Sequence, residues 1–98
     1  MGGTVLTVRW LAEVRVGFRP GIADPEGQTV ASALRLVGFT SVAAVRSGKL
    51  MRIEFDAADR DAAEAAVSDM CRRLLANPVM EVATWELEVA EPRVGAAG

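Results

Sequence analysis

The sequence predicts an α+β domain in which one antiparallel β-sheet carries two amphipathic helices on one face. Three segments alternate between apolar and polar residues with period 2, which is typical of half-buried strands. Between them, two segments place apolar residues at helical spacing, and Pro and Gly separate the segments. A chain of 98 residues is the size of one domain, so we expect residues 1–98 to fold as a single unit.

The first strand is predicted at Val8 to Phe18. Every second residue in this segment is apolar, and charged residues occupy positions of the other parity. Pro20 and Gly21 then end the strand, because proline cannot donate to a ladder and glycine favours a turn.

The stretch "GIADPEGQT" invites comparison with a phosphate-binding loop, which reads G-x-x-x-x-G-K-[ST]. Five residues separate its glycines, however, and Gln28 stands where the lysine should be. Asp24 suits the N-cap of a helix, and Pro25 suits the first helical position, where its missing N–H costs nothing. Glu26 would repel phosphate. The stretch therefore predicts a helix start and not a nucleotide site.

The first helix continues with apolar residues at positions i, i+3, i+4 and i+7, and Gly38 fits the position just after its end. The apolar stripe consists of Val30, Ala33, Leu34 and Val37. Two alternatives remain open for the segment that follows. It forms either one long strand with a bulge at Gly48 or a hairpin that turns near Ser47 and Gly48.

The second helix is predicted from about Asp59 to Ala76, with Asp56 or Asp59 as its cap. Its apolar stripe is the clearest in the chain and consists of Ala63, Val67, Met70, Cys71, Leu74 and Leu75. A last strand follows, with Ala83, Trp85, Leu87 and Val89 on one face. The order β-α-β(β)-α-β predicts a ferredoxin-like layer, whose second sheet face carries solvent-tolerant residues or is covered by another subunit.

Composition excludes several classes of function. The absence of histidine removes the commonest general base near neutral pH. The single cysteine, Cys71, lies on the apolar stripe and is interpreted as a core residue; it permits no internal disulfide, which fits the cytoplasm. A net charge of −2 argues against sequence-independent nucleic-acid binding, and no apolar run is long enough to span a membrane. The acidic residues near the second helix are explained by capping without a metal.

Lys49 is the only lysine among eleven basic residues. It lies in the segment "VRSGK", and from composition alone we interpret it as a solvated turn residue. Residue by residue, the sequence thus predicts a small α+β domain, oligomeric, with no catalytic residue and no metal site.

Three segments together resemble the PurS family, the small subunits of phosphoribosylformylglycinamidine (FGAM) synthase. The first is Arg19 followed by "GIADPEGQTVASAL", the second is "VRSGK", and the third is "CRRLLANPVME" followed by "WELEV". The resemblance covers about residues 12–90. Residues 1–9 are interpreted as an N-terminal extension and 91–98 as a flexible tail.

The resemblance implies a role in de novo purine biosynthesis. In that family the complex converts formylglycinamide ribonucleotide (FGAR) to FGAM with ATP, Mg and glutamine, all bound by other subunits, and the small subunit has no cofactor. It would form a homodimer or a higher homo-oligomer and bridge a large synthetase subunit and a glutaminase subunit. The motifs assign a set of residues either to partner contact or to turns within the subunit itself: Arg19, Asp24, Pro25, Gly27, Arg46, Gly48 and Lys49.

Two other classes share the predicted topology. A ferredoxin-like regulatory domain would bind a small metabolite at a dimer interface and would be stabilised by that ligand without other subunits. An RNA-binding domain stacks bases on strand aromatics, but the middle strand "KLMRIEF" offers only Phe55. Both classes are less favoured than the PurS family.

Overall fold

The computed structural model describes residues 6–90, and these form three strands and two helices. The fold class is confirmed as α+β. The elements in chain order are β1 (Val8–Phe18), α1 (Pro25–Leu36), β2 (Gly48–Ala57), α2 (Arg60–Met70) with a π-helical continuation (Cys71–Leu75), and β3 (Glu81–Val89). The predicted tail and the first five residues lie outside the described part of the chain.

The three strands form one antiparallel sheet in the order β2-β1-β3. β1 is the central strand and pairs with β2 from Val8 opposite Ala57 to Gly17 opposite Gly48. On its other side it pairs with β3, and Phe18 lies opposite Glu81. Of the alternatives for the middle segment, the hairpin is wrong, because a single strand begins at Gly48. The bulged alternative is also corrected, since residues 42–47 have no regular structure and β2 does not extend through them.

The core lies between the sheet and α2. On the inner face of β1, alternate side chains are almost fully buried, with Ala12 and Val14 at 0% exposure. Val67 of α2 and Cys71 of its π-helical continuation cover them, and Ala63 of α2 packs in a second cluster with Trp10 and Ala57. Because Ala63, Val67 and Cys71 recur at i, i+4 and i+8, one straight helix face meets the flat centre of the sheet.

The predicted stripe of α2 is confirmed except at its end. Leu74 is 83% exposed, whereas Leu75 packs against the core. The π-helical segment from Cys71 explains the difference, because its longer repeat rotates the following residues relative to an α-helix. Asp59, and not Asp56, is the cap, since its carboxylate accepts a hydrogen bond from the backbone N–H of Ala62 at 2.8 Å.

The outer face of the sheet is mainly polar and exposed to solvent, with Leu50 and Val82 as exposed apolar residues towards one end. Charged residues that are opposite or diagonal to each other on neighbouring strands form ion pairs across this face. The pairs are Arg9–Asp56, Glu13–Arg52 and Arg15–Glu86. In the single chain this face carries mainly solvent-tolerant residues; cover by another subunit stays a prediction.

α1 lies differently from α2. It makes only minor contact with the strands, and hydrogen bonds join it to the irregular segment 42–47. The Arg35 guanidinium donates hydrogen bonds to the carbonyl oxygens of Val42 and Ala43, at 2.9 and 3.0 Å. The helix begins at Pro25 after the Asp24 cap, and Gly38 follows its end with a φ of +112°, both as predicted.

Candidate functional site

Most of the predicted motif residues meet where α1 begins and β2 begins. We call this region the α1–β2 junction and define it as residues 24–27 together with 45–49. It lies at one end of the sheet, because Gly48 opens β2 opposite the last residues of β1. The structure thus brings together Asp24, Pro25 and Gly27 with Arg46, Gly48 and Lys49, although about twenty residues separate the two groups in sequence.

Asp24 is the centre of the junction. Its carboxylate accepts hydrogen bonds from the backbone N–H and the hydroxyl of Ser47, at 2.7 and 2.6 Å, and from the N–H of Gly27 at 2.9 Å. Only 8% of its surface is exposed. The Ser47 hydroxyl first, and then the backbone N–H groups of Gly27 and Ser47, hold the pKa of Asp24 below its ordinary value. Asp24 therefore joins α1 to the chain entering β2, in addition to capping the helix.

A glycine is required at position 27 because the backbone of Val45 passes very close to it. A methyl group added at Gly27 would overlap the Val45 carbonyl oxygen. It would also lie 2.7 Å from a carboxylate oxygen of Asp24. Glycine in the first turn weakens a helix, and capping does not explain it. The explanation is that the backbone of the 45–47 segment lies directly on the helix at this point.

Arg19 lies at the same end of the sheet but has a different environment. Its guanidinium donates to the carbonyl oxygen of Pro78 at 3.1 and 2.9 Å, and its backbone N–H donates to that of Met80 at 2.8 Å. Arg19 thus fastens the end of β1 to the turn that precedes β3. Its assignment to partner contact stays a prediction.

A shallow, open depression of about 370 Å³ adjoins the junction. Its floor includes Gly17 and Gly48, which lie opposite each other in the register of β1 and β2. Arg46 and Lys49 line it, as does Arg15. Sequence reasoning singled out Gly48, Arg46 and Lys49, but it missed Gly17 and Ser47. No local sequence signal marks these two residues, because Gly17 contributes by pairing with Gly48 and Ser47 by bonding to Asp24, both distant in sequence.

Residues 6–90 contain no group of three or more Cys, Asp or Glu side chains arranged to hold a metal ion. Burial raises the pKa of the Cys71 thiol, which keeps it protonated and unreactive near neutral pH. In the same range, no helix has the length and apolarity needed to cross a membrane.

The fold is that of a small α+β domain with a structured junction and an open depression lined partly by basic residues. The family model of PurS, described as phosphoribosylformylglycinamidine (FGAM) synthase, matches residues 11–89. The chain therefore belongs to the PurS family, the small subunits of FGAM synthase in purine biosynthesis.

Individual relatives agree with this assignment. The chain is 44% identical to the PurS subunit of Archaeoglobus fulgidus over 71 residues, which are 72% of this chain and 89% of the relative. It is 37% identical to that of Bacillus subtilis over 76 residues, or 78% and 89% of the two chains.

Solved structures give the same result. Thermus thermophilus PurS has a TM-score of 0.76 and 38% identity, with 85% of this chain and 99% of that chain covered. A chain of PurLQS from Thermotoga maritima has a TM-score of 0.71 and 29% identity, with 84% and 98% covered.

Proposed function

We propose that this chain is a non-catalytic subunit that bridges the glutaminase and the large synthetase subunit of FGAM synthase in the cytoplasm. The observation that carries the proposal is the similarity to a chain of PurLQS from Thermotoga maritima over 98% of that chain's length. In this proposal ATP, Mg and glutamine are bound by the other subunits, which convert FGAR to FGAM.

Bridging has a physical purpose in such a reaction. Ammonia released from glutamine into water would be protonated and diluted before it reached a second active site. A subunit that fixes the two sites relative to each other keeps the effective concentration of the intermediate high. Such a subunit needs only rigid surfaces.

The proposal includes self-association, which the exposed surface of α1 supports. Its apolar stripe has the spacing of a buried helix face, yet Val30 is 41% exposed and Val37 is 72% exposed. Leu36 and Phe39 extend this apolar surface, at 87% and 59% exposure. An apolar surface of this kind is typical of an interface.

A second copy offers the matching surface. Beside α2, side chains on the inner face of β2 and β3 remain only partly buried, among them Ile53, Phe55 and Leu87. α1 of one copy placed against this face of another would bury both apolar surfaces. We therefore propose a homodimer or a higher homo-oligomer in which α1 lies at the interface.

The α1–β2 junction and Arg19 are proposed as the contact region for the other subunits. The support is that the junction residues share one end of the sheet and that Arg46 and Lys49 are exposed there. Lys49→Ala and Arg46→Ala are predicted to fold normally and to reduce glutamine-dependent FGAM synthesis.

Co-purification tests the proposal. The chain is mixed with the large synthetase and glutaminase subunits in the presence of glutamine and an ATP analogue, and the mixture is separated by size. A single species containing all three chains supports the bridging function. Separate elution of this chain under all these conditions contradicts it.

A further inference from the structure

We infer that the depression beside the α1–β2 junction binds an extended acidic segment of a partner subunit, with Arg46 and Lys49 pairing with its carboxylates. The inference rests on the proposed function, because it names the chemistry of one of the contacts that bridging requires. Four features of the depression support it: its floor, its charge, its apolar rim and its shape.

The floor is bare because two glycines lie side by side in the sheet. Gly17 is opposite Gly48 on β2 and opposite Val82 on β3. A methyl group added at Gly17 would meet no atom within 4 Å, so the space above it is open. Gly48 has no such freedom, since a methyl there would lie 2.7 Å from the carbonyl oxygen of Val16. The open backbone at Gly17 leaves room for another chain to approach closely.

The charge around the floor is positive, and Arg46 also interacts electrostatically with the Asp24 carboxylate of the junction. Arg15 is neutralised, because its guanidinium pairs with Glu13 at 2.5 Å and Glu86 at 3.3 Å. Arg46 and Lys49 differ from every other basic side chain within residues 6–90, since they make neither an ion pair nor a hydrogen bond to the described chain. Both cations line the hollow, and Lys49 reaches it from the sheet face that carries Val16. Cations without an ion-pair partner in the described chain favour an occupant with carboxylates.

The rim adds apolar contacts to the charges. Leu50 is 51% exposed and Val82 is 41% exposed, and both line the depression. An occupant that satisfies both kinds of contact alternates or combines acidic and apolar side chains. β2 pairs with β1 on one side only within the described sheet, so its outer edge offers backbone groups to an extended chain.

The shape favours a protein segment over a small molecule. Sites for small molecules enclose most of the ligand surface, whereas this depression is shallow and open to solvent. A segment of a larger partner does not need enclosure, because contacts outside the depression add to the affinity.

Zero-length cross-linking tests the inference directly, because a carbodiimide couples an amine only to a carboxylate in contact with it. Lys49 is the only lysine of this chain. The complete chain is mixed with the synthetase and glutaminase subunits, treated with the carbodiimide and analysed by mass spectrometry. We expect Lys49 to be joined to an Asp or Glu of one partner subunit. Lys49→Arg keeps the charge and serves as the control that retains binding but loses the cross-link.

Two further variants measure the contribution of the depression to affinity. Gly17→Leu fills the hollow and Lys49→Glu reverses its charge, and each is expected to weaken the complex about tenfold or more. Arg52→Gln removes one positive charge from β2 outside the depression and is expected to bind like the wild type. Circular dichroism and thermal melting establish that each variant is folded.

The outcomes separate the two proposals. A complex that forms without a Lys49 cross-link, and that Gly17→Leu and Lys49→Glu leave unchanged, overturns the acidic-segment inference alone. A chain that forms no complex with either subunit contradicts the bridging function itself. A third outcome combines two results: inorganic phosphate shifts the amide resonances of Gly17 and Lys49, and the Gly17→Leu variant still assembles normally. This outcome identifies a small-anion site and also overturns the inference.

Discussion

The carboxylate of Asp24 holds the backbone N–H and the hydroxyl of Ser47, 23 residues further along the chain, at 2.7 and 2.6 Å. The same carboxylate caps α1 through Gly27. One side chain therefore fixes the position of α1 relative to the start of β2. Because α1 makes only minor contact with the strands, this link and the Arg35 hydrogen bonds set where the helix lies.

Asp24→Asn is expected to lower the melting temperature and to loosen the segment that enters β2. An amide cannot accept all three hydrogen bonds as a carboxylate does, and the buried donors of Ser47 and Gly27 lose their charged acceptor. Asp59→Asn is the matched control, since Asp59 also caps a helix but accepts a single capping hydrogen bond from Ala62. Thermal melts and hydrogen exchange of residues 45–47 measure the effect. An equal loss in both variants would count against the special role of Asp24.

Acid is expected to destabilise the wild type through Asp24. Its pKa in the folded chain lies below the ordinary value of 3.8, so the unfolded chain binds the proton more readily. The stabilisation is fully present well above pH 3.8 and is lost as the pH falls through the folded pKa. Asp56, held by Arg9, acts in the same direction. Unfolding free energy measured between neutral pH and pH 3 should fall less steeply in Asp24→Asn than in the wild type; identical slopes would refute this contribution.

Gly27→Ala is expected to destabilise the chain although the same change usually strengthens a helix by about 0.5–1 kcal/mol. The added methyl would overlap the Val45 carbonyl oxygen, and moving that backbone costs about 1–3 kcal/mol. Gly17→Ala is the matched control, because its methyl enters open space. Urea denaturation of both variants compares them. A Gly27→Ala chain as stable as the wild type would show that the junction adapts freely.

Val37→Asp is expected to dissociate the proposed homo-oligomer without unfolding the subunit. Val37 is 72% exposed in the single chain. An aspartate there would be buried unpaired in the proposed interface but would not enter the core of the subunit. Ser32→Asp places the same charge on the same helix at an exposed polar position. Sedimentation velocity should show a dissociation constant raised about tenfold or more for Val37→Asp and little change for Ser32→Asp. A monomeric wild type, or an unaffected Val37→Asp, would refute the interface at α1.

The first and last of the three strand segments and the helix caps could be predicted because their signals are local, whereas the start of β2 at Gly48 could not. The alternation from Val8 to Phe18 gives the bounds of β1 as observed, and Asp24 with Pro25 gives the start of α1. A helical repeat of 3.6 continued through Cys71 predicts Leu74 on the apolar stripe. The π-helical segment changes the phase there and leaves Leu74 exposed.

The site could be predicted only in part. Motif resemblance selected Gly48 and Lys49, but it did not reveal why they are adjacent to Asp24. The Asp24–Ser47 link and the Gly17–Gly48 pair depend on tertiary position, which no local pattern encodes. The sequence predicts the apolar stripe of α1 correctly. It does not predict that this stripe is exposed in the single chain, because that depends on α2 covering the sheet.

Reconstituted synthesis tests the bridging function most directly. The synthetase and glutaminase subunits are assayed for FGAM formation with glutamine and, separately, with ammonium as nitrogen donor, each with and without this chain. We predict that the chain raises the glutamine-dependent rate strongly and leaves the ammonium-dependent rate nearly unchanged, because only the former needs ammonia to pass between subunits. An equal glutamine-dependent rate in its absence would contradict the bridging function.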